Sequence, residues 1–173
     1  TGEIPDWLFK ELAALKSFAL KVPKKYGGRG LSQLNYSRGA IVSGKYDGNI
    51  AALLSAHQSI GVPQPLLMYG TEYQKERYLP MFAKGSISAF ALTEVDVGSD
   101  PSKLTTTAEK DDNGDYILNG EKLWCTNGTK ADVIIVMART GKTITAFIVD
   151  MDWRGVTVTH RSRFMGLRAL YNG

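Results

Sequence analysis

The sequence predicts an α+β protein, with an all-helical first half (residues 1–85) followed by a strand-rich second half (residues 86–173) of barrel or sandwich type. Two observations carry this. Apolar residues recur at helical spacing up to Gly85 and alternate after it. Turn-forming pairs then punctuate the second half at short intervals, at Asn113-Gly114, Asn119-Gly120, Asn127-Gly128 and Thr140-Gly141.

In the first half, Leu8, Leu12, Leu15 and Phe18 share a helical spacing, with Pro5-Asp6 as the start. A loop follows from Tyr26 to Leu31, and Ser32 is placed to cap a second helix carrying Leu34, Ala40 and Ile41 inward. Asp47-Gly48-Asn49 interrupts. Ile50 to Ile60 is apolar nearly all round, the pattern of a buried helix. Pro63 and Pro65 punctuate a short helical piece that Gly70 closes. Thr71 and Gln74 form a capping box for a helix reaching about Ala83, with Pro80 as a kink or boundary. In the second half, strands are expected at 88–93, 104–109, 116–119, 122–126, 133–139, 143–149 and 156–161. The last residues, Phe164 to Gly173, carry no stop signal, so the chain reads as a fragment with another strand to follow.

Composition removes several function classes. At 43% hydrophobic, 22% charged and a formal charge of +4, the chain is an ordinary soluble globular one. The cluster Lys21, Lys24, Lys25 and Arg29 reads as a solvated face rather than a nucleic-acid or lipid patch. No apolar run approaches the roughly 20 residues of a membrane helix, and no signal-peptide pattern opens the sequence. Cys125 is the single cysteine, which excludes an intrachain disulfide and a cysteine-based metal cluster. It reads as a packed strand residue. Gly28-Arg29-Gly30 starts a dinucleotide fingerprint, but Gln33 occupies the third glycine's place. The Asp111-x-Asn113-x-Asp115 run fails as a calcium loop, with Tyr116 at the glycine position and Lys122 at the bidentate one. No metal site is expected. His57 reads as a satisfied core residue, His160 as a strand-end residue beside Arg161, and Glu94 as a structural carboxylate rather than a base.

Two stretches stand out, Phe90 to Asp100 and Leu123 to Gly128. In a strand ending near Thr126, the Trp124 ring and the Thr126 hydroxyl point to one side, pairing an aromatic wall with a hydrogen-bonding group. In the first stretch Ala91 and Thr93 share one face, and Phe90 and Leu92 the other. Gly98-Ser99-Asp100 then lets backbone N–H groups approach a phosphate or ring edge. Taken alone, these are either an ordinary core tryptophan and turn or a platform for a flat, phosphate-bearing cofactor.

Those residues also carry a family. Phe90-Ala91-Leu92-Thr93-Glu94 followed by Gly98-Ser99-Asp100, then Leu118 to Gly128, resembles the acyl-CoA dehydrogenases. Further matches lie at Tyr26 to Leu31, at Ala56-His57-Gln58-Ser59-Ile60-Gly61, which looks most like the very-long-chain branch, and from Gly70 to Pro80. The chain departs from the family pattern at Val95, where proline is usual, and at Cys125, where isoleucine or valine is usual.

The resemblance implies an N-terminal helical domain and a middle β-barrel, truncated before a C-terminal four-helix bundle. It implies FAD as cofactor, with Phe90, Leu92 and Thr93 at the flavin ring edge and Ser99 beside flavin and acyl-CoA. Trp124 would lie against the ring, and Thr126 near flavin N5. The implied reaction is α,β-dehydrogenation of a fatty acyl-CoA to the trans-2-enoyl-CoA, as in β-oxidation, with electrons leaving through an electron-transferring flavoprotein. The base would be a glutamate outside these residues, so no catalytic residue is assigned here and the isolated fragment is expected to be inactive. An acyl-CoA oxidase, or a flavin-holding member with an assembly or nucleic-acid role, are the competing readings. The family resemblance also implies a homodimer or homotetramer, cytoplasmic in a bacterium and mitochondrial in a eukaryote, with no transmembrane segment.

Overall fold

The computed structural model describes residues 2–173. Five helices come first: α1 (Asp6–Ala14), α2 (Gln33–Tyr46), α3 (Gly48–Ser59), α4 (Pro63–Tyr69) and α5 (Glu72–Ala83). Five strands follow: β1 (Ser88–Ala91), β2 (Thr107–Lys110), β3 (Tyr116–Asn119), β4 (Val133–Thr140) and β5 (Thr143–Asp150). Short 3₁₀ turns sit at Ser17–Ala19, Lys24–Tyr26 and Pro101–Lys103.

Local chemistry sets the helix starts. Ser32 accepts from Asn35 N at 3.3 Å to open α2. Asp47 both ends α2 and caps α3, accepting from Asn49 N at 2.7 Å and Ile50 N at 3.1 Å. The capping box of α5 is complete: Gln74 N donates to Thr71 Oγ1 at 3.2 Å, and Thr71 N donates to Gln74 Oε1 at 2.9 Å. Pro80 does not end α5, which runs on to Ala83. Tyr78, Leu79 and Phe82 are buried on its inner face, and that packing outweighs the one ladder bond proline removes.

The strand β4 is the spine of a mixed sheet. β1 runs parallel along one edge of it, from Ser88↔Val133 to Ala91↔Val136, and β2 joins the same edge further on at Thr107↔Arg139. β3 pairs antiparallel with β2, and β5 pairs antiparallel along the other edge of β4 from Val133↔Asp150 to Thr140↔Thr143. β4 is apolar on both faces because both are covered. Val133 and Ile135 pack with Val62, Leu66, Leu79 and Phe82 of the helices, and Ile134 packs with Ala89, Ala91, Cys125 and Val149 on the other face. Over that second face lies a cleft of about 740 Å³, lined by Ala91, Ile134, Val136, Val149 and Met151 among others.

Three expectations need correction. Leu34 and Ile41 are 61% and 63% exposed instead of inward, and Tyr36 is the buried residue of α2. Spacing tells which residues share a helix face, but a neighbour must be present to cover it. Residues 156–161 form no strand, and neither do residues 122–126, where Trp124 takes φ 56° and Asn127 φ 69°. The shared-face argument for Trp124 and Thr126 therefore fails, and what brings them together is tertiary.

His57 holds the seam between helices and sheet. It is fully buried, between Phe18 and Phe82 edges. Its Nε2 lies 2.7 Å from Phe18 O, which can only accept, and its Nδ1 accepts from Ser88 N at 2.9 Å. Both contacts are satisfied by the neutral Nε2–H tautomer. Gly61 permits the close approach, since any side chain there would run into His57 O and Ser88 Oγ. Burial pushes the imidazole from 6.5 down to about 4. Between those values the unfolded chain binds a proton that the folded chain refuses. Stability is thus fully present above pH 6.5 and falls as pH drops toward 4, by on the order of 3 kcal/mol. Urea midpoints at neutral pH and near pH 5 measure this slope, and His57→Leu, though less stable at neutral pH, should lose it.

Candidate functional site

After Ala91 the chain leaves β1 and turns back on itself, with Glu94 N donating to Val97 O at 2.8 Å and Val97 N to Glu94 O at 3.3 Å. The turn drives the Glu94 side chain into the protein, where it is 5% exposed. Its carboxylate accepts from Thr105 N at 2.7 Å, Thr105 Oγ1 at 2.6 Å, Thr106 N at 3.0 Å and Thr106 Oγ1 at 2.5 Å. The Lys122 ammonium completes the set at 2.7 Å and also donates to Leu92 O at 3.1 Å. Burial by itself would raise the carboxyl, but the Lys122 ammonium and the threonine donors hold it well below the usual carboxylate range. A carboxylate so fully engaged is a structural anion with no lone pair set aside for a proton, as its sequence context suggested.

This pair clamps residues 92–94 to residues 122–123, and Leu123 N adds a bond to Thr93 O at 3.0 Å. The next residue, Trp124, is forced into the left-handed region at φ 56° and leaves its ring 63% exposed. That conformation costs a non-glycine residue about 1–2 kcal/mol, and the exposed ring forgoes its burial. Cys125 then turns inward, where burial pushes its thiol up to about 11. Gly128 N closes the turn onto Cys125 O at 2.8 Å.

Thr126 is half-buried, and its hydroxyl accepts from Asn172 Nδ2 at 3.2 Å. The same amide nitrogen donates to Trp124 O at 3.2 Å. Residues 170–173 lie as a strip between the 125–129 turn and residues 161–162. Cys125 N donates to Gly173 O at 2.8 Å, Thr129 N to Tyr171 O at 3.2 Å and Ser162 N to Asn172 O at 2.8 Å. Asn127 is fully buried and anchors the turn to the rest of the fold, donating to Leu53 O at 3.0 Å and to Ser88 O at 3.4 Å.

The structure therefore brings Leu92 and Thr93 against the Leu123–Thr126 segment through backbone and lysine contacts. Phe90 turns the other way and packs against the helical core cluster. Ser99 is exposed on the following loop and shares no hydrogen bond with these residues. Lys122 and Asn172 escaped the sequence reading. Lys122 could have been suspected from the need of a buried Glu94 for a cation; nothing local marks Asn172, 46 residues from Thr126. Among the described residues no group of three or more histidine, cysteine or acidic side chains could hold a metal. No helix there is long and apolar enough to cross a membrane.

Residues 1–86 match the profile of the acyl-CoA dehydrogenase N-terminal domain, and residues 89–173 match that of the acyl-CoA dehydrogenase middle domain. The chain belongs to the acyl-CoA dehydrogenase family. It is 50% identical, over 99% of its length, to a probable acyl-CoA dehydrogenase FadE10 of Mycobacterium tuberculosis, of which it covers 28%. It is 41% identical over 91% of its length to the very long-chain specific acyl-CoA dehydrogenase of Rattus norvegicus, covering 26% of that protein. The chain thus spans little more than a quarter of these relatives. Among solved structures, butyryl-CoA dehydrogenase from Megasphaera elsdenii superimposes with a TM-score of 0.92 at 37% identity, over 99% of this chain and 47% of that one. An acyl-CoA dehydrogenase complexed with FAD from Bacillus anthracis gives 0.86 at 38%, over 95% of this chain and 28% of that one.

Within this chain, the clamp is open to a direct test. Lys122→Met leaves the Glu94 carboxylate buried without its cation and should cost about 3–5 kcal/mol in urea unfolding. Glu94→Gln combined with Lys122→Met should lose less than the sum of the two single changes.

Proposed function

We propose that the chain is the flavin-holding and thioester-holding part of an FAD-dependent acyl-CoA dehydrogenase, which converts a fatty acyl-CoA to the trans-2-enoyl-CoA. The observation that carries this is Trp124, a large ring exposed on a left-handed backbone beside a Thr126 hydroxyl whose hydrogen has no acceptor among the described residues. Such a ring stays wet unless a flat partner covers it. Thr93, also half-buried, is tied to the same segment through its carbonyl, which accepts from Leu123 N at 3.0 Å. An exposed aromatic ring two residues from a hydroxyl with a free hydrogen fits the flavin of FAD, whose ring presents an apolar face and a hydrogen-bonding edge.

In this reading Leu92, Thr93, Trp124 and Thr126 would hold the flavin ring with Phe90 backing the strand behind them, and Ser99 would lie toward flavin and acyl-CoA. FAD bound there would supply a hydride acceptor for the substrate's β-carbon, with an electron-transferring flavoprotein to take the electrons on. The residues of this chain would orient and desolvate it: Phe90 closes the rear against the helical core, the Trp124 ring would cover the flavin, and the Thr126 hydroxyl would be free to donate to it. Glu94 takes no proton from the substrate's α-carbon, because Lys122 and four threonine donors already occupy it. The base belongs outside these residues, and the 173-residue chain assayed alone with an artificial acceptor should dehydrogenate no acyl-CoA.

The test of the reading is the flavin itself. The purified full-length protein should show visible flavin absorption that bleaches when an acyl-CoA is added without oxygen. Trp124→Ala should weaken FAD binding roughly two- to tenfold, the worth of one aromatic stacking contact. A protein that stays colourless after incubation with FAD would refute the proposal.

A further inference from the structure

We infer that Asn172 is a positioning residue of the flavin site, holding the Thr126 hydroxyl as a hydrogen-bond donor and the Trp124 carbonyl in place while touching no ligand itself. This rests on the flavin reading of Trp124 and Thr126.

The amide's orientation is decided by its partners. Trp124 O can only accept, so the nitrogen of the Asn172 side chain must face it, and the same nitrogen then offers its second hydrogen to Thr126 Oγ1. A lone pair of the Thr126 hydroxyl is thereby occupied by a donor. Its own hydrogen has no acceptor among the described residues and is left for whatever lies over the half-exposed side of Thr126.

Asn172 has little freedom to do otherwise. Its carbonyl accepts from Ser162 N at 2.8 Å, and the neighbouring Gly173 O accepts from Cys125 N at 2.8 Å. A side chain at position 173 would run into Thr129 Cγ2 and His160 O, so the strip fits tightly between the two segments that flank it. The residue is 5% exposed, and its Oδ1 meets no protein donor.

The consequence is a redox one. Oxidised flavin presents an acceptor nitrogen at N5, and that nitrogen carries a hydrogen once reduced. With one lone pair taken by Asn172 the hydroxyl is biased toward donating, which favours the oxidised form, and removing that donor frees both lone pairs to accept from the reduced form. Asn172→Leu, close in size and without a donor, should raise the flavin potential. The expected change is roughly fivefold in the ratio of reduced to oxidised flavin, about 20 mV for a two-electron couple.

The experiment measures the flavin potential of the full-length, FAD-loaded protein as wild type, Asn172→Leu, Thr126→Val and the double variant. The rise should appear in the single Asn172→Leu protein and vanish in the Thr126→Val background. Should Asn172→Leu fail to fold, the near-isosteric Asn172→Asp is run through the same cycle, where its charge cancels between the two backgrounds. Flavin-loaded protein whose potential does not move, or moves equally without the Thr126 hydroxyl, overturns this inference alone. Protein that cannot be loaded with flavin overturns it together with the reading on which it rests.

Discussion

A carboxylate taken out of water has to be surrounded by donors, and the Glu94 carboxylate is surrounded by those that build the site. Thr105 and Thr106 come from the approach to β2, and Lys122 from the segment after β3. Satisfying one buried charge therefore fixes the relative position of three pieces of chain. Lys122 spends a second hydrogen on Leu92 O, which carries the same constraint into the residues that follow β1. The left-handed Trp124 is the next residue but one, and its strain is sustained because the chain on both sides of it is already held: by the clamp before it, and by the Cys125 and Asn127 contacts after it.

The clamp alone would leave the site loosely attached to the helices. His57 and Asn127 supply that attachment. His57 joins Phe18 O to Ser88 N, and Asn127 joins the turn to Leu53 O of α3 and to Ser88 O of β1. Ser88 is thus met from the helical side and from the site side at once. Both bridging side chains are fully buried, and the donors of each have specific backbone partners on either side, Phe18 O for His57 and Leu53 O with Ser88 O for Asn127, which gives the helix-to-sheet seam its register.

Much of the architecture was legible in the residues. The capping box at Thr71 and Gln74 and the Ser32 cap depend on neighbours three positions away, so the sequence contains both partners. The β4–β5 hairpin follows from alternation around Thr140-Gly141. The apolar α3 was correctly expected to be buried, with Leu53, Leu54, His57 and Gln58 inside. The same periodicity misled for α2, whose Leu34 and Ile41 share a face that no element covers among the described residues. The segment 122–126 has strand-like residues and no strand, because its backbone and lysine bonds go to Leu92, Thr93 and Gly173 rather than into a ladder.

By itself the sequence determined what is local or patterned: the order of helices then strands, the caps, the motif stretches that mark the acyl-CoA dehydrogenase family, and the structural character of His57 and Glu94. Tertiary structure alone decided how Trp124 and Thr126 come to stand together. Strand geometry had offered one answer; the fold gives another, in which Asn172 reaches back 48 residues to Trp124 and 46 to Thr126 to hold both. The reason is physical. Caps and turns are settled among residues a few positions apart, whereas the orientation of a hydroxyl, the strain of a left-handed tryptophan and the pairing of a buried carboxylate depend on which distant groups folding delivers to within 3 Å or so.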